Sequence, residues 1–260
     1  MGTILLLATA SFVAGATVVD ESTARAAGKS AASTATGSDA QAETDAIFGD
    51  GATVSVTQLG VSQKARAIYQ KGVLALQRGR ASEAERDAER AMHADATFSD
   101  AYALAATAQL SQRNFLLAQS TAKTAMHADA SNLKAYVILA TADNYLGQYS
   151  AAVVALTPVL AASTQWWQIA YQQARAEAGL EHAQAALEWS NRAALRAPAG
   201  FAPLHLLHAS ALVASAQYAQ AADELETYLA LEGEKTPQRE ELERELGRLR
   251  KLASTGNSSR

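Results

Sequence analysis

His205 and His208 stand three residues apart, a spacing that brings two imidazoles onto one face of a helix and within reach of a shared metal ion. A metal site needs further ligands, and no Cys and no nearby Asp or Glu supplies them, so packing is the favoured reading of this pair. Asp100, Asp143 and Glu177 are acids on predicted helices, and two facing carboxylates could cleave a glycosidic bond, but nothing around them departs from an ordinary solvated helix surface. No Ser-His-Asp motif, phosphate-cradling glycine loop or dinucleotide fingerprint is present. The chain has 260 residues and no cysteine, which excludes disulfides, thiolate nucleophiles, sulfur-ligated zinc and a lipidated cysteine. We expect no catalytic residues, no metal and no cofactor.

The elements that carry these residues are helices. Alanine dominates, proline occurs only four times, and β-branched residues are sparse after Val61, which favours helix over sheet. A net charge of −4 with mixed signs gives no basic footprint for phosphates, so nucleic acid is not an expected partner. Residues 1–26 form a signal peptide or an amino-terminal anchor. The apolar stretch from Ile4 to Val19 has the length of a signal-peptide core, and small-x-small sites follow at Ala14-Gly15-Ala16 and Ala24-Arg25-Ala26. The first basic residue is Arg25, beyond that core, which leaves a retained anchor as the alternative. A periplasmic or secreted location is expected for a cleaved chain, and a membrane-anchored one facing the periplasm for an uncleaved chain. Residues 27–50, rich in Ala, Ser, Thr and Gly, read as a disordered linker. Residues 51–64 read as an extended lead-in, with alternation from Thr53 to Leu59 that could lie along the first helices or pair with another chain.

From Ala65 onward the sequence repeats. Ala91-Met92-His93-Ala94-Asp95-Ala96 recurs as Ala125-Met126-His127-Ala128-Asp129-Ala130, displaced by 34 residues, and further steps land on Thr164 and Pro198. His93 and His127 therefore report a duplication. With Tyr102, Ala106, Phe115, Ala118 and Ala125 in the second unit and Tyr136, Leu139, Ala140, Gly147, Tyr149 and Ala152 in the third, the chain resembles the tetratricopeptide-repeat (TPR) family, in an exported bacterial form. The resemblance implies an all-α, right-handed α-solenoid of about five helix-turn-helix repeats, at 65–98, 99–132, 133–166, 167–200 and a degenerate 201–234. In the fourth repeat Gly179 comes two residues early. The fifth keeps Leu204, Leu207, Tyr218 and Ala221 with a one-residue slip, for which a longer turn is expected. Trp166 and Trp167 sit at a repeat junction, one expected in the core and the other as an exposed anchor. A capping helix is expected at 236–253, with Thr236 as N-cap, Pro237 in the first turn and a stripe of Leu242, Leu246, Leu249 and Leu252. Residues 254–260 read as a disordered tail.

In that family the first helices line a concave groove that holds peptides, and positions two, five, six, nine and twelve of each repeat carry the lining. Carried over, they give Tyr69, Val73 and Leu76, then Leu104, Thr107 and Leu110, then Val137, Thr141 and Asn144, with Tyr171, Arg175 and His205 from the last two repeats. Tyr69, Val73 and Ile138 stand where the clamp for chaperone carboxylates needs Lys, Asn and Arg, so that partner is disfavoured. The expected function is a non-enzymatic adaptor binding a protein or peptide segment in a mostly apolar groove. The alternative is a membrane-tethered or self-associating assembly scaffold of the cell envelope, in which a homo-oligomer forms. Some of the lining, Leu104 and Ile138 above all, could instead pack between neighbouring helices.

Overall fold

The computed structural model describes residues 42–47, 60–233 and 238–257. After a short helix α1 at residues 42–47, the described chain is helical throughout: α2 Gln63–Gln77, α3 Ala81–Ala94, α4 Ser99–Ser111, α5 Phe115–Ala128, α6 Leu133–Tyr145, α7 Tyr149–Leu156, a 3-10 stretch Thr157–Thr164, then α8 Trp167–Gly179, α9 Ala183–Ala194, α10 Ala202–Ala214, α11 Tyr218–Glu232 and α12 Arg239–Asn257. These residues fall into two compact units, divided between Ala161 and Ala162.

Small residues set how closely the helices approach. Ala84, Ala88, Ala118, Ala122 and Ala125 are fully buried where second helices meet first helices. In the first unit each helix packs on the next from α2 to α7, and the first helices of successive pairs also meet, α2 on α4 and α4 on α6. In the second unit the sequence of contacts runs from α8 to α12, with α8 touching α10. One core cluster of the first unit joins Ala75, Leu76, Ala84, Ala88 and Leu104. Another joins Val61, Ala65, Ala91, Phe98 and Ala101.

The duplicated hexapeptide now has a structural reason. Asp95 and Asp129 follow the ends of α3 and α5, and each carboxylate accepts from a residue two places on: from Thr97 N and Oγ1 in one case, from Ser131 N and Oγ in the other. Such an Asx turn redirects the chain into the next first helix. Asp95 also accepts from Ser62 N, tying the entry of α2 to the same turn. The hydroxyl hydrogen bond from Thr97 holds the Asp95 carboxyl below the usual carboxylate range.

The turn inside each pair also keeps the period. A residue of positive φ occurs at Gly79, Arg113, Gly147, Glu181 and Ala216, in steps of 34, 34, 34 and 35. Gly179 is the last residue of α8, and Glu181 rather than a glycine makes the turn of the fourth repeat. The left-handed conformation costs a residue bearing Cβ about 1–2 kcal/mol. Glu181→Gly is therefore expected to stabilise its unit by about 1 kcal/mol, the gain being trimmed by glycine's extra entropy in the unfolded chain. An unchanged urea midpoint would contradict it.

Several expected boundaries move. Residues 42–47 are helical, with Glu43, Thr44 and Ile47 buried, where a disordered linker was expected; Ile47 is one of the few large apolar side chains in that run and lies in the helix. The rest of that linker, the apolar amino-terminal segment and residues 51–59 lie outside the described residues. α2 starts at Gln63 rather than 65 because Ser62 caps it, its hydroxyl accepting from Ala65 N. The turn between α10 and α11 has the same three residues as the others, so the fifth repeat has no longer turn. The extra residue lies upstream, where Ala194 ends α9 early and Pro198 disfavours helix in the residue before it. The capping helix runs Arg239–Asn257, later at both ends than expected, and Thr236 and Pro237 lie outside the described residues. Leu242, Leu246 and Leu249 are buried as the stripe predicted. Residues 254–257, expected as frayed tail, continue the helix, and the hydroxyls of Ser254 and Thr255 donate to carbonyls one turn back.

Candidate functional site: the layer of first helices

In the first unit, α2, α4 and α6 lie side by side, so residues at equal repeat positions form ladders along the layer. Tyr69, Ala103 and Val137 make one ladder, Val73, Thr107 and Thr141 a second, and Leu76, Leu110 and Asn144 a third.

The side chains do not all serve the same end. Leu76 and Leu104 are core residues: both belong to the cluster under α2, α3 and α4, and Leu104 fills the space left by Gly72. Their assignment to the groove is corrected: Leu104 is on α4, which is flanked by α2 and α6 and lies over α3 and α5, and Leu76, in the last turn of α2, packs into the cluster shared with α3 and α4. Leu110 is buried as well, and so is Ile138, at a lining position of α6. Tyr69 is half-buried, its ring 5.0 Å from that of Phe98 at a tilt of 57°. Burial, reinforced by the Asp100 carboxylate, pushes its hydroxyl far above the ordinary tyrosine value, so it stays protonated and can only act as a neutral hydrogen-bonding group. Val73 is half-buried against the same core. The hydroxyls of Thr107 and Thr141 donate to the carbonyls of Ala103 and Val137, one turn back, which presents their methyl groups rather than their polar atoms.

The acids that could have suggested catalysis are each held by a different neighbour. Asp100 accepts from Asn132 Nδ2 at 3.0 Å, Asp143 accepts from Gln119 Nε2, and Glu177 accepts from Gln173 Nε2 at 2.8 Å. Burial raises the Asp143 carboxyl despite that hydrogen bond. Asn132 was not singled out by the sequence. It caps α6 through Ala135 N and donates to Ser99 Oγ and Asp100, stitching the second repeat to the third, and its signal was an Asn placed just before a helix.

In the second unit Tyr171 belongs to an aromatic cluster, edge-on to Phe201 at 5.2 Å and to Trp167 at 6.3 Å, rather than to an open surface. Arg175 is buried. Trp167 is core and Trp166 is half-buried. His205 is also reassigned. Since α10 starts at Ala202, His205 takes the fourth position of its repeat, not the fifth, and turns toward α11 of its own pair. There its Nδ1 lies 2.7 Å from Glu224 Oε2, and His208 Nδ1 lies 3.2 Å from Oε1 of the same carboxylate. The acid that seemed missing beside the two histidines comes from across the pair, 19 residues away from His205, a distance at which sequence alone gives no signal.

The hydrogen bond from His208 is the main influence on the Glu224 carboxyl and holds it below its ordinary 4.5, against the opposing effect of burial. A depressed folded value means that the stabilisation is present above the unfolded value and is lost as pH falls through the folded one. Glu224→Gln is thus expected to destabilise the second unit at pH 7, and the difference from wild type should vanish under acid conditions below 4.5. A difference that persists unchanged at pH 3 would show that the carboxylate charge is not its source.

No protein-family model matches the sequence, and no curated protein matches it. Solved structures do match. PilW, titled a widely conserved type IV pilus biogenesis factor, superposes with a TM-score of 0.64 at 13% identity, covering 76% of this chain and 91% of that one. PilF of Pseudomonas aeruginosa gives 0.60 at 19% identity over 75% and 87%. TTC0263, a thermophilic TPR protein in Thermus thermophilus, gives 0.56 at 17% identity over 71% and 98%. The chain has the TPR fold. In TPR terms, α2 to α11 are five pairs, the positive-φ residues mark the turn of each pair, and α12 follows the fifth as a carboxy-terminal helix. Among the described residues, no helix is long and apolar enough to cross a membrane.

Proposed function

We propose that this chain is a non-enzymatic adaptor that binds a protein segment on the first-helix layer of its first unit, and that it acts after export from the cytoplasm. The observation that carries the reading is the ladder arrangement. α2, α4 and α6 adjoin one another, and their fifth and ninth positions repeat as Tyr69, Ala103 and Val137 beside Val73, Thr107 and Thr141. A row of apolar and methyl-bearing side chains at a fixed step suits an extended or helical segment with apolar anchors, which can meet successive repeats with successive residues. Export is supported by the apolar run from Ile4 to Val19 and the small-x-small sites after it. PilW is titled a pilus biogenesis factor, and a role in assembling envelope proteins suits an exported adaptor of the same fold.

Arg66 and Val73 are half-buried on α2 and allow the reading to be tested without emptying the core. The double variant Arg66→Glu/Val73→Asp should keep its far-UV helix signal and lose at least tenfold in affinity for the protein that wild type captures from an exported-protein extract. Undiminished affinity in the folded variant would move binding away from this layer. A captured partner that proves to be a second copy of the chain would favour the self-associating scaffold.

A further inference from the structure

The first helices α4 and α6 are buried along nearly their whole circumference. α4 packs on α2, α3, α5 and α6, and α6 packs on α4, α5 and α7. One side of each carries Ala103 and Thr107, or Val137 and Thr141, at the repeat positions that line an open groove in the TPR resemblance. All four residues are nevertheless no more than 1% exposed, while Val73, one step along the same ladder, is half-buried.

Among the described residues of this unit, α1 is a helix that belongs to no helix pair. Six residues cannot hold a helix in water without a surface to pack on. α1 has such a surface: Glu43, Thr44 and Ile47 are buried along one side, while Asp45 is exposed. Thr44 and Ile47 match the methyl-rich ladder in chemistry. Glu43 is 3% exposed, and a carboxylate that deep needs a cation or donors. Arg66, whose Nε is buried without a hydrogen-bond partner, and Lys134 bring positive charge to the second position of α2 and of α6.

We propose that α1 is an intramolecular occupant of the layer, set across α4 and α6 with Thr44 and Ile47 against Thr107, Val137 and Thr141. It rests on the adaptor reading only for its consequence, that a partner segment must displace α1 to bind. The contact itself needs no partner. On this arrangement affinity is reduced by the fraction of time α1 is bound, and loss of α1 raises it.

Because the chain has no cysteine, one introduced thiol reports without ambiguity. Thr141→Cys in the full chain should react slowly with a maleimide. Adding Ile47→Asp, or Thr44→Arg as an independent second change, should speed labelling at least tenfold with the far-UV helix signal unchanged and no dependence on protein concentration. Equal rates with and without both changes would overturn the proposal. So would a labelling rate that falls as the protein is concentrated, since a second copy would then be the cover. The adaptor reading is judged separately, because these rates are measured with no partner present.

Discussion

Trp167→Ala is expected to destabilise the second unit by about 3–5 kcal/mol, the range for removing a large buried aromatic. Trp167 is 3% exposed, and its ring lies 4.7 Å from Phe201 at an angle of 62° and 6.3 Å from Tyr171. Phe201 meets Tyr171 nearly perpendicularly at 5.2 Å, so the three rings close on one another. Edge-to-face pairs add about 0.5–1.5 kcal/mol each beyond the area they bury, and this substitution breaks two of them. It also leaves a hole between α8 and the entry to α10, where the extra residue upstream gives the chain least regular support. Urea unfolding followed by far-UV circular dichroism measures the effect. A loss under about 1 kcal/mol would mean that the site collapses around the smaller side chain.

Gly72→Leu should act with similar force in the first unit. A Cβ at Gly72 would come 2.8 Å from Leu104 Cδ2, 3.2 Å from the Ala84 carbonyl oxygen and 3.3 Å from Asp87 Cβ. Two of those atoms belong to α3 and cannot swing aside, so a full leucine must part α2 from α3, for about 3 kcal/mol, the upper end of overpacking costs. Gly72→Ala asks much less. Leu104 can yield at the tip of its side chain, and alanine returns about 1 kcal/mol of helix propensity, so the net change should stay within about 1 kcal/mol of wild type. If leucine is tolerated as well as alanine, the close approach of α2, α3 and α4 is not what fixes the pair.

Most of the fold could be read from the sequence because the period is carried by backbone needs as well as by side chains. Asp95 and Asp129 redirect the chain, Gly79 and Gly147 make turns of positive φ, and small residues such as Ala88 and Ala122 sit where helices touch. Where the period lapsed, the reading went astray for a physical reason. Gly179 was read as two residues early, which holds: the turn falls at Glu181, which takes it at the expense of strain; the misreading lay in the fifth repeat. The slip near Pro198 was visible, but its side of α10 was not, because an insertion before a helix and one after it shift the downstream motif equally. That single residue moved His205 from the groove list to a half-buried place facing the second helix of its pair. The site was less legible than the fold. Position numbers tell which side of a first helix a residue takes, but not how far neighbours close over it, and Leu76 and Leu104 proved to be core. Glu224 could not be found at all, since its link to His205 and His208 runs between helices.

The second helix of the third repeat is the shortest of the second helices. α7 ends at Leu156 after eight residues, and the chain goes on through Pro158 in a 3-10 stretch, within which one compact unit gives way to the other. Proline has no N–H to continue the helical ladder, which accounts for the early stop. In a repeat array, cooperativity passes only from neighbour to neighbour, so an interruption of this kind is where all-or-none unfolding divides. That stretch is therefore the place to look for a second step in a thermal melt, and the energies expected above for Trp167 and Gly72 belong to different units.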